Sequence, residues 1–310
     1  MNIFLTGATG FVGGALLRHL KANTAHQVTI GLRQPDAAVS ALADHTLLWG
    51  LTQDEPPNLE GIDCVIHAAA RVHQLRETAA DPLAAFRAVN TTGTLRLAQA
   101  AIAAGVKRFV YVSTIHVNGH EREQPYTAND QPQPTDPYGI SKWEAEQGLQ
   151  ALKDQLEIVI VRPPLVYGPN APGNFGRLVR AVERGLPLPF GAIDNRRSLI
   201  ALDNLVDFLR CAAEHPRAAG ETFLVSDGAA VSTPELVRQI ATALQRSPRL
   251  LAVSPRLLAG LFALVGKPAT FQRLGGSLWI DDSPAQTILG WRAPLSMAQA
   301  MKQIATESNK

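Results

Sequence analysis

Apolar residues in the first half of the chain fall into short unbroken runs, and stretches with helical spacing separate them. The runs at residues 3–5, 27–32, 46–49, 62–70, 108–114 and 156–162 are rich in aliphatic residues with little polar alternation. Such runs read as strands covered on both faces. Amphipathic helices are predicted after the first run and over 83–104 and 138–152, with Gly105 as the stop signal of the second. Strands alternating with helices predict an α/β fold with a doubly wound parallel sheet. Residues 119–137 are rich in Pro, Gln, Asp and Asn and predict a surface loop with the character of a lid. Beyond residue 168 the pattern changes. A Pro, Gly and Asn loop at 169–176 leads into helical spacing at 175–185, an extended piece at 186–191, and helices at 204–214, 233–245, 256–265 and 296–306. One α/β domain over 1–168, with a return segment near 197–225, and a smaller, mostly helical lobe over 169–310 is the expected division.

Composition narrows this little. The chain has 310 residues, 46% hydrophobic and 18% charged, so a large core is available. A net charge of +2 gives no basic surface for nucleic acid as the main partner. The two cysteines, Cys64 and Cys211, sit among apolar neighbours, without C-x-x-C or zinc spacing, and read as buried thiols of a reducing cytoplasm. No metal is expected. The first strand begins at once, which leaves no room for a signal peptide. The apolar run at 257–266 is too short to span a bilayer, and Pro255 and Pro268 bracket it as a buried or interfacial helix.

Chemistry enters at the first turn. Gly7, Gly10 and Gly13 follow the first strand and open a helix. Gly7 permits a sharp turn, Gly10 lets a pyrophosphate approach the backbone, and Gly13 allows close helix packing. The helix start then offers unpaired N–H groups to phosphate. Arg33, at the end of the second strand, stands where an acidic residue would bond the ribose of NAD, and suits a 2′-phosphate instead. Ala68 and Ala69 are small enough for a cofactor to lie against the backbone, and His67 reads as a packed strand-end histidine. Tyr138 and Lys142, four apart at a helix start, share a face. An ammonium beside a phenol lowers its pKa toward the range of a useful base. Thr114, ending a strand, can hold a carbonyl or alcohol oxygen beside that phenol. Hydride transfer to or from a nicotinamide needs this set.

T-G-A-T-G-F-V-G at 6–13, H-A-A-A at 67–70, V-S-T-I-H-V-N-G at 112–119, Y-G-I-S-K at 138–142, R-P-P-L-V-Y-G-P at 162–169 and L-G-W at 289–291 together resemble the extended short-chain dehydrogenase/reductases. That family comprises nucleotide-sugar epimerases, dehydratases and reductases. The resemblance implies a Rossmann domain, NAD or NADP as cofactor, a UDP-sugar substrate, and a homodimer packed through the helices at 83–104 and 138–152. It implies Tyr138 as acid/base, Lys142 as its partner and Thr114 as the hydroxyl. Gly7, Gly10, Phe11, Val12, Arg33, Leu51, Ala68, Ala69, Ala70 and Pro164 would line the cofactor together with Tyr138 and Lys142. Asn174, Leu188, Pro189, Arg197 and Arg273 would meet the nucleotide-sugar, with Phe190 beside the uracil. The arginines suit a diphosphate, which each can bond bidentately.

Departures from the family pattern choose among activities. Ile115 and His116 replace the Asp-Glu pair that follows the threonine in dehydratases, which argues against a 4,6-dehydratase. Gly50-Leu51 replaces an Asp-Leu or Asp-Ile pair, and Val-Asn-Gly at 117–119 replaces Val-Tyr-Gly. With Arg33, and with R-V-H at 71–73 and R-R-S-L-I at 196–200, the chain resembles the polysaccharide-pathway branch of the family. The expected activity is NAD(P)H-dependent reduction of a UDP-linked 4-keto-6-deoxy-N-acetylhexosamine at C4. The alternative is a UDP-hexose 4-epimerase holding NAD tightly. A dinucleotide-binding regulator without activity is a third reading, disfavoured because Thr114, Tyr138 and Lys142 are all present.

Overall fold

The computed structural model describes residues 1–72, 79–264, 266 and 268–308, without the side chains of 268–270, 273, 307 and 308. Its elements in chain order are β1 (Asn2–Thr6), α1 (Phe11–Asn23), β2 (Gln27–Leu32), α2 (Ala37–Ser40), β3 (His45–Leu48), β4 (Cys64–His67), α3 (Pro82–Phe86), a π-helical segment (Arg87–Gly93), α4 (Thr94–Ala103), β5 (Arg108–Val112), α5 (Pro137–Gln150), β6 (Glu157–Arg162) and β7 (Leu165–Tyr167). There follow α6 (Gly173–Glu183), β8 (Leu199–Ala201), α7 (Leu202–Glu214), β9 (Thr222–Leu224), α8 (Thr233–Ala243), α9 (Pro255–Leu264), α10 (Pro268–Gly275), α11 (Ser283–Leu289) and α12 (Met297–Ser308).

A seven-stranded sheet runs in the order β3-β2-β1-β4-β5-β6-β9, and the paired strands are parallel throughout. The order reverses between β1 and β4, as in a Rossmann fold, and ligands of such sheets bind at that switch point. Strand burial explains the unbroken apolar runs. Ile3, Phe4 and Leu5 are fully buried, and all four residues of β4 are buried. One face packs α1 and α7, through Leu16, Leu17, Leu20, Leu205 and Leu209. The other packs α4 and α5, through Leu97, Ala101, Ala145 and Leu149. Aspartates fix two of the helix starts that matter here. Asp81 accepts from Ala84 N–H at 3.0 Å and Asp136 from Gly139 N–H at 2.8 Å, each followed by a proline at the first helical turn.

Farther along the chain, α7 lies against α1, and β9 adds to the sheet beside β6. A second core gathers Tyr167, Phe175, Val179, Leu188, Phe190, Val237, Met301 and Ile304 from the later part of the chain. Phe11 packs against both cores and joins them.

Three expectations need correction. The helix over 83–104 is not regular, because Arg87–Gly93 forms a π-helical segment. The loop at 119–137 is pinned rather than free. Tyr126 bridges Ile280, its N–H reaches Trp279 O at 2.9 Å, and its side chain is buried with Leu278 and Ile280. Of the buried and interfacial readings of the apolar run at 257–266, the buried one does not hold over 257–264. In α9 only Leu258 is covered, while Leu257, Leu261 and Leu264 are exposed, because i, i+4 and i+7 lie on the outward stripe. Val265, at the end of that run, lies outside the described residues. Among the described residues no helix is long and apolar enough to cross a membrane.

Candidate active site

The chain leaves β1 at Thr6 and turns at Gly7, whose φ of +81° suits glycine. A Cβ there would lie 2.7 Å from Ala69 N and 2.8 Å from the Ala68 carbonyl carbon, so this turn rests on the strand-end backbone. Gly13 comes as close from the other side, with 2.2 Å from a built Cβ to Gly7 O. At the start of α1, Gly10 supplies no capping side chain and the first turn holds no acidic residue. Phe11 and Val12 stand half-buried in that turn, with the positive helix end open to an anion. These features fit a dinucleotide pyrophosphate.

Beside the turn, a chain of hydrogen bonds fixes the floor. Ala69 N–H donates to Thr6 Oγ1 at 3.2 Å, and Thr6 Oγ1 lies 2.6 Å from His67 Nδ1. His67 Nε2 lies 2.9 Å from Thr94 Oγ1, which donates to Asn90 O at 2.7 Å. Thr94 spends its proton on Asn90, so His67 donates from Nε2 and accepts at Nδ1. Burial, then the charge of Lys142, brings the imidazole from 6.5 to about 3. His67 is the packed histidine that its strand-end position predicts. Ala68, Ala69 and Ala70 are half-buried on this floor.

Asn90, in the π-helical segment, holds the next stretch. Its side-chain oxygen accepts from Arg71 N–H at 2.8 Å, and its amide donates to Arg71 O and to Ser141 Oγ, both at 3.0 Å. Ser141 in turn donates to Tyr138 O at 2.8 Å. A π turn re-aims side chains at a functional site. Here it lets one amide clamp the β4 loop to the turn that carries Tyr138.

Thr114 is buried at the end of β5, where its hydroxyl accepts from His116 N–H at 3.3 Å and keeps its own proton to donate. The first turn of α5 lies on this bend, since a Cβ at Gly139 would stand 2.9 Å from His116 O. Tyr138 is half-buried, with its ring 6.1 Å from Phe86 and 6.2 Å from His116. Lys142 is 1% exposed and donates to Val112 O at 2.7 Å, with its ammonium 4.0 Å over the Tyr111 ring. Thr114 thus follows β5, Tyr138 and Lys142 stand on successive turns of α5, and the start of α5 packs on the bend after Thr114.

The electrostatics depart from expectation. Burial brings Lys142 down from 10.5 to about 7, against the pull of the Glu146 carboxylate. Burial and then Asp136 hold the Tyr138 phenol above its ordinary 10.0. In this arrangement Tyr138 is a protonated group, ready to donate. Lys142 answers to Val112 and Glu146 rather than depressing the phenol.

Sequence reasoning passed over what lies beneath. Glu146 and Arg162 form a buried ion pair at 2.5 Å, side chains 1% and 4% exposed, with Ser113 Oγ donating to Glu146 and Arg162 Nη1 donating to Asn118 at 3.0 Å. Glu146 stands one turn beyond Lys142, so Tyr138, Lys142 and Glu146 recur at every fourth residue. That spacing was the available signal. The cluster of His116, His120 and Asp136 was missed as well.

Other predicted residues lie farther out. Arg33 is exposed after β2 and lies across Gly50, where a Cβ would meet its Cγ at 2.8 Å. Glycine at position 50 therefore makes room for the arginine. Leu51 is buried, with its carbonyl against Gly93, and Pro164 is buried beyond β6. Asn174 is exposed on the first turn of α6, Leu188 is buried, and Pro189 is half-buried. Arg197 is half-buried and donates to Gly276 O at 2.9 Å; burial lowers its pKa against the pull of Glu121. The Arg273 side chain and His73 lie outside the described residues.

A family model for NAD-dependent epimerases and dehydratases matches residues 3–226. The chain belongs to the NAD-dependent epimerase/dehydratase family. The UDP-glucose 4-epimerase of Vibrio cholerae is 42% identical over 314 residues, covering 98% of this chain and 94% of that protein. The N-acetyl-alpha-D-glucosaminyl-diphospho-ditrans,octacis-undecaprenol 4-epimerase of Escherichia coli O157:H7 is 26% identical over 255 residues, covering 79% and 73%. Among solved structures, MoeE5 in complex with UDP-glucuronic acid and NAD superposes with a TM-score of 0.78 at 25% identity, covering 100% of both chains.

Proposed function

We propose that the protein is a UDP-sugar 4-epimerase that works with NAD. The similarity to the Vibrio cholerae UDP-glucose 4-epimerase across nearly the full length of both chains carries this reading over reduction. Thr114, Tyr138 and Lys142 are compatible with it, although epimerisation and reduction ask the same of them. Gly7, Gly10, Phe11, Val12, Ala68, Ala69, Ala70, Leu51, Pro164 and Lys142 would hold the dinucleotide. When bound, it would supply a hydride acceptor that also returns the hydride. Tyr138, its phenolate favoured by the positive charge of the bound nicotinamide, would take the proton of the sugar 4-hydroxyl and later give it back. Thr114 donates to the same oxygen while it is a carbonyl. Asn174, Leu188, Pro189, Arg197 and Arg273 would hold the nucleotide, with the arginines at the diphosphate. A homodimer through the helices of residues 82–103 and α5 belongs to the same proposal, with light scattering as its check.

The test is turnover without net redox change. Purified protein given UDP-glucose, UDP-galactose or their N-acetyl counterparts is expected to interconvert the C4 epimers with no net change in nicotinamide absorbance. Stoichiometric consumption of NADPH with a 4-keto sugar, and no epimer formed, would overturn it.

One observation favours the second reading, a 4-keto reductase. Arg33 is exposed, with no partner among the described residues, at the strand end that meets the adenosine ribose. A 2′-phosphate would fit it. Arg33→Glu is expected to weaken NADP binding at least tenfold and leave NAD binding within about threefold. Equal loss for both would remove this support.

A further inference from the structure

We propose that His116, His120 and Asp136 form a binding site for a divalent transition-metal ion, with zinc the best match, at the start of α5. His116 lies on the turn after Thr114, His120 just beyond it, and Asp136 caps the helix. His116 Nδ1 is 3.1 Å and His120 Nε2 is 2.9 Å from the same oxygen, Asp136 Oδ2. The two rings meet edge to face at 4.7 Å, and the three donor atoms fall within 4.8 Å of one another. A metal holding nitrogen and oxygen ligands at about 2.0–2.1 Å separates neighbouring ligand atoms by about 2.9–3.4 Å. Both nitrogen–oxygen spacings lie in that range, and the rings would have to turn so that their nitrogens face one ion. Two imidazoles and one carboxylate select zinc, nickel, cobalt or iron over magnesium and calcium, which prefer all-oxygen shells.

The surroundings suit an ion. Asp136 Oδ1 accepts from Gly139 N–H at 2.8 Å, which leaves Oδ2 as the inward-facing atom and fixes the carboxylate plane. The side chains are 30%, 23% and 14% exposed for His116, His120 and Asp136. Solvent can therefore reach the ion and complete its shell. Without metal, His116 Nδ1 hydrogen-bonds Asp136 Oδ2, and His120 Nε2 stands close to the same oxygen.

The experiment measures metal directly. Chelator-stripped protein is dialysed against micromolar zinc or nickel, or millimolar magnesium, and bound metal is counted by elemental analysis. One zinc per chain is expected, with at least tenfold weaker binding in His120→Ala and recovery in His120→Cys, since a thiolate is also a zinc ligand. X-ray absorption of the zinc-loaded protein is expected to show two imidazoles per ion. Less than one tenth of a zinc per chain, uptake unchanged in both His120→Ala and His116→Ala, or equal uptake of magnesium would overturn the proposal. Binding counts need no turnover, so they stand or fall apart from the epimerase reading.

Discussion

Replacing Lys142 by methionine is expected to stabilise the fold while abolishing turnover. The side chain is 1% exposed, and burial brings its pKa from 10.5 to about 7. Unfolded, the group would titrate at its ordinary value. The folded protein therefore binds fewer protons than the unfolded chain between these two values, and wild-type stability rises with pH across that window. Below about pH 7 the ammonium is charged in both states and its full burial penalty applies, roughly 5 kcal/mol at about 1.4 kcal/mol per pH unit. Methionine fills a similar volume without that penalty. It gives up the bond to Val112 O and the contact with Tyr111, together worth about 2–3 kcal/mol. The expected net gain is about 2 kcal/mol near pH 6.5, shrinking toward a loss near pH 9.5. Urea unfolding at both pH values reads this, with a sugar-turnover assay beside it. If Lys142→Met were less stable than wild type near pH 6.5, or if both proteins kept the same slope with pH, the buried-ammonium argument would fail.

Three further outcomes are expected. Tyr138→Phe keeps the fold and its dinucleotide but loses about 10²–10⁴-fold in turnover, read by steady-state kinetics beside a binding titration; full activity would remove Tyr138 from the chemistry. Gly13→Ala drives a Cβ into Gly7 O and is expected to lower both thermal stability and dinucleotide affinity, read by melting with and without NAD; unchanged values would show that the turn yields. Arg162→Met strands the buried Glu146 and is expected to cost about 3–5 kcal/mol in urea unfolding. Adding Glu146→Gln removes the stranded charge and should recover more than half of that loss; no recovery would mean the arginine acts through packing.

The sheet was legible because each central strand is buried on both faces and leaves an unbroken apolar run. β2 occupies the predicted residues, 27–32. Three-residue strands gave no such signal. β7, β8 and β9 are too short for any period to show, and β7 follows two prolines that read only as a break. The π-helical segment was invisible because Arg87–Gly93 keeps helical composition, and the extra residue per turn is set by what Asn90 bonds. At the site, residues with one chemical use stood out in the sequence: Tyr138, Lys142 and the glycines. His116, His120 and Asp136 were not, because a spacing of sixteen residues between His120 and Asp136 announces nothing until a pinned loop folds them together. Glu146 and Arg162 read as an ordinary helix charge and a strand-end charge, and only their burial shows that they belong to one network.

The Asn90 amide bears on how the protein would meet its cofactor. By matching both the donor and the acceptor of Arg71, it treats the chain after β4 as though another strand ran beside it. The floor at Ala68–Ala70 is thereby anchored on both sides, by Thr6 at Ala69 and by Asn90 at Arg71. A dinucleotide docking on this floor, as proposed, would find little of the backbone at 68–71 left to order. Association should then be fast, with a small entropic penalty and little conformational lag. In an Asn90→Ala variant the same contacts would have to form during binding, and the difference would appear as a slower on-rate rather than a faster off-rate.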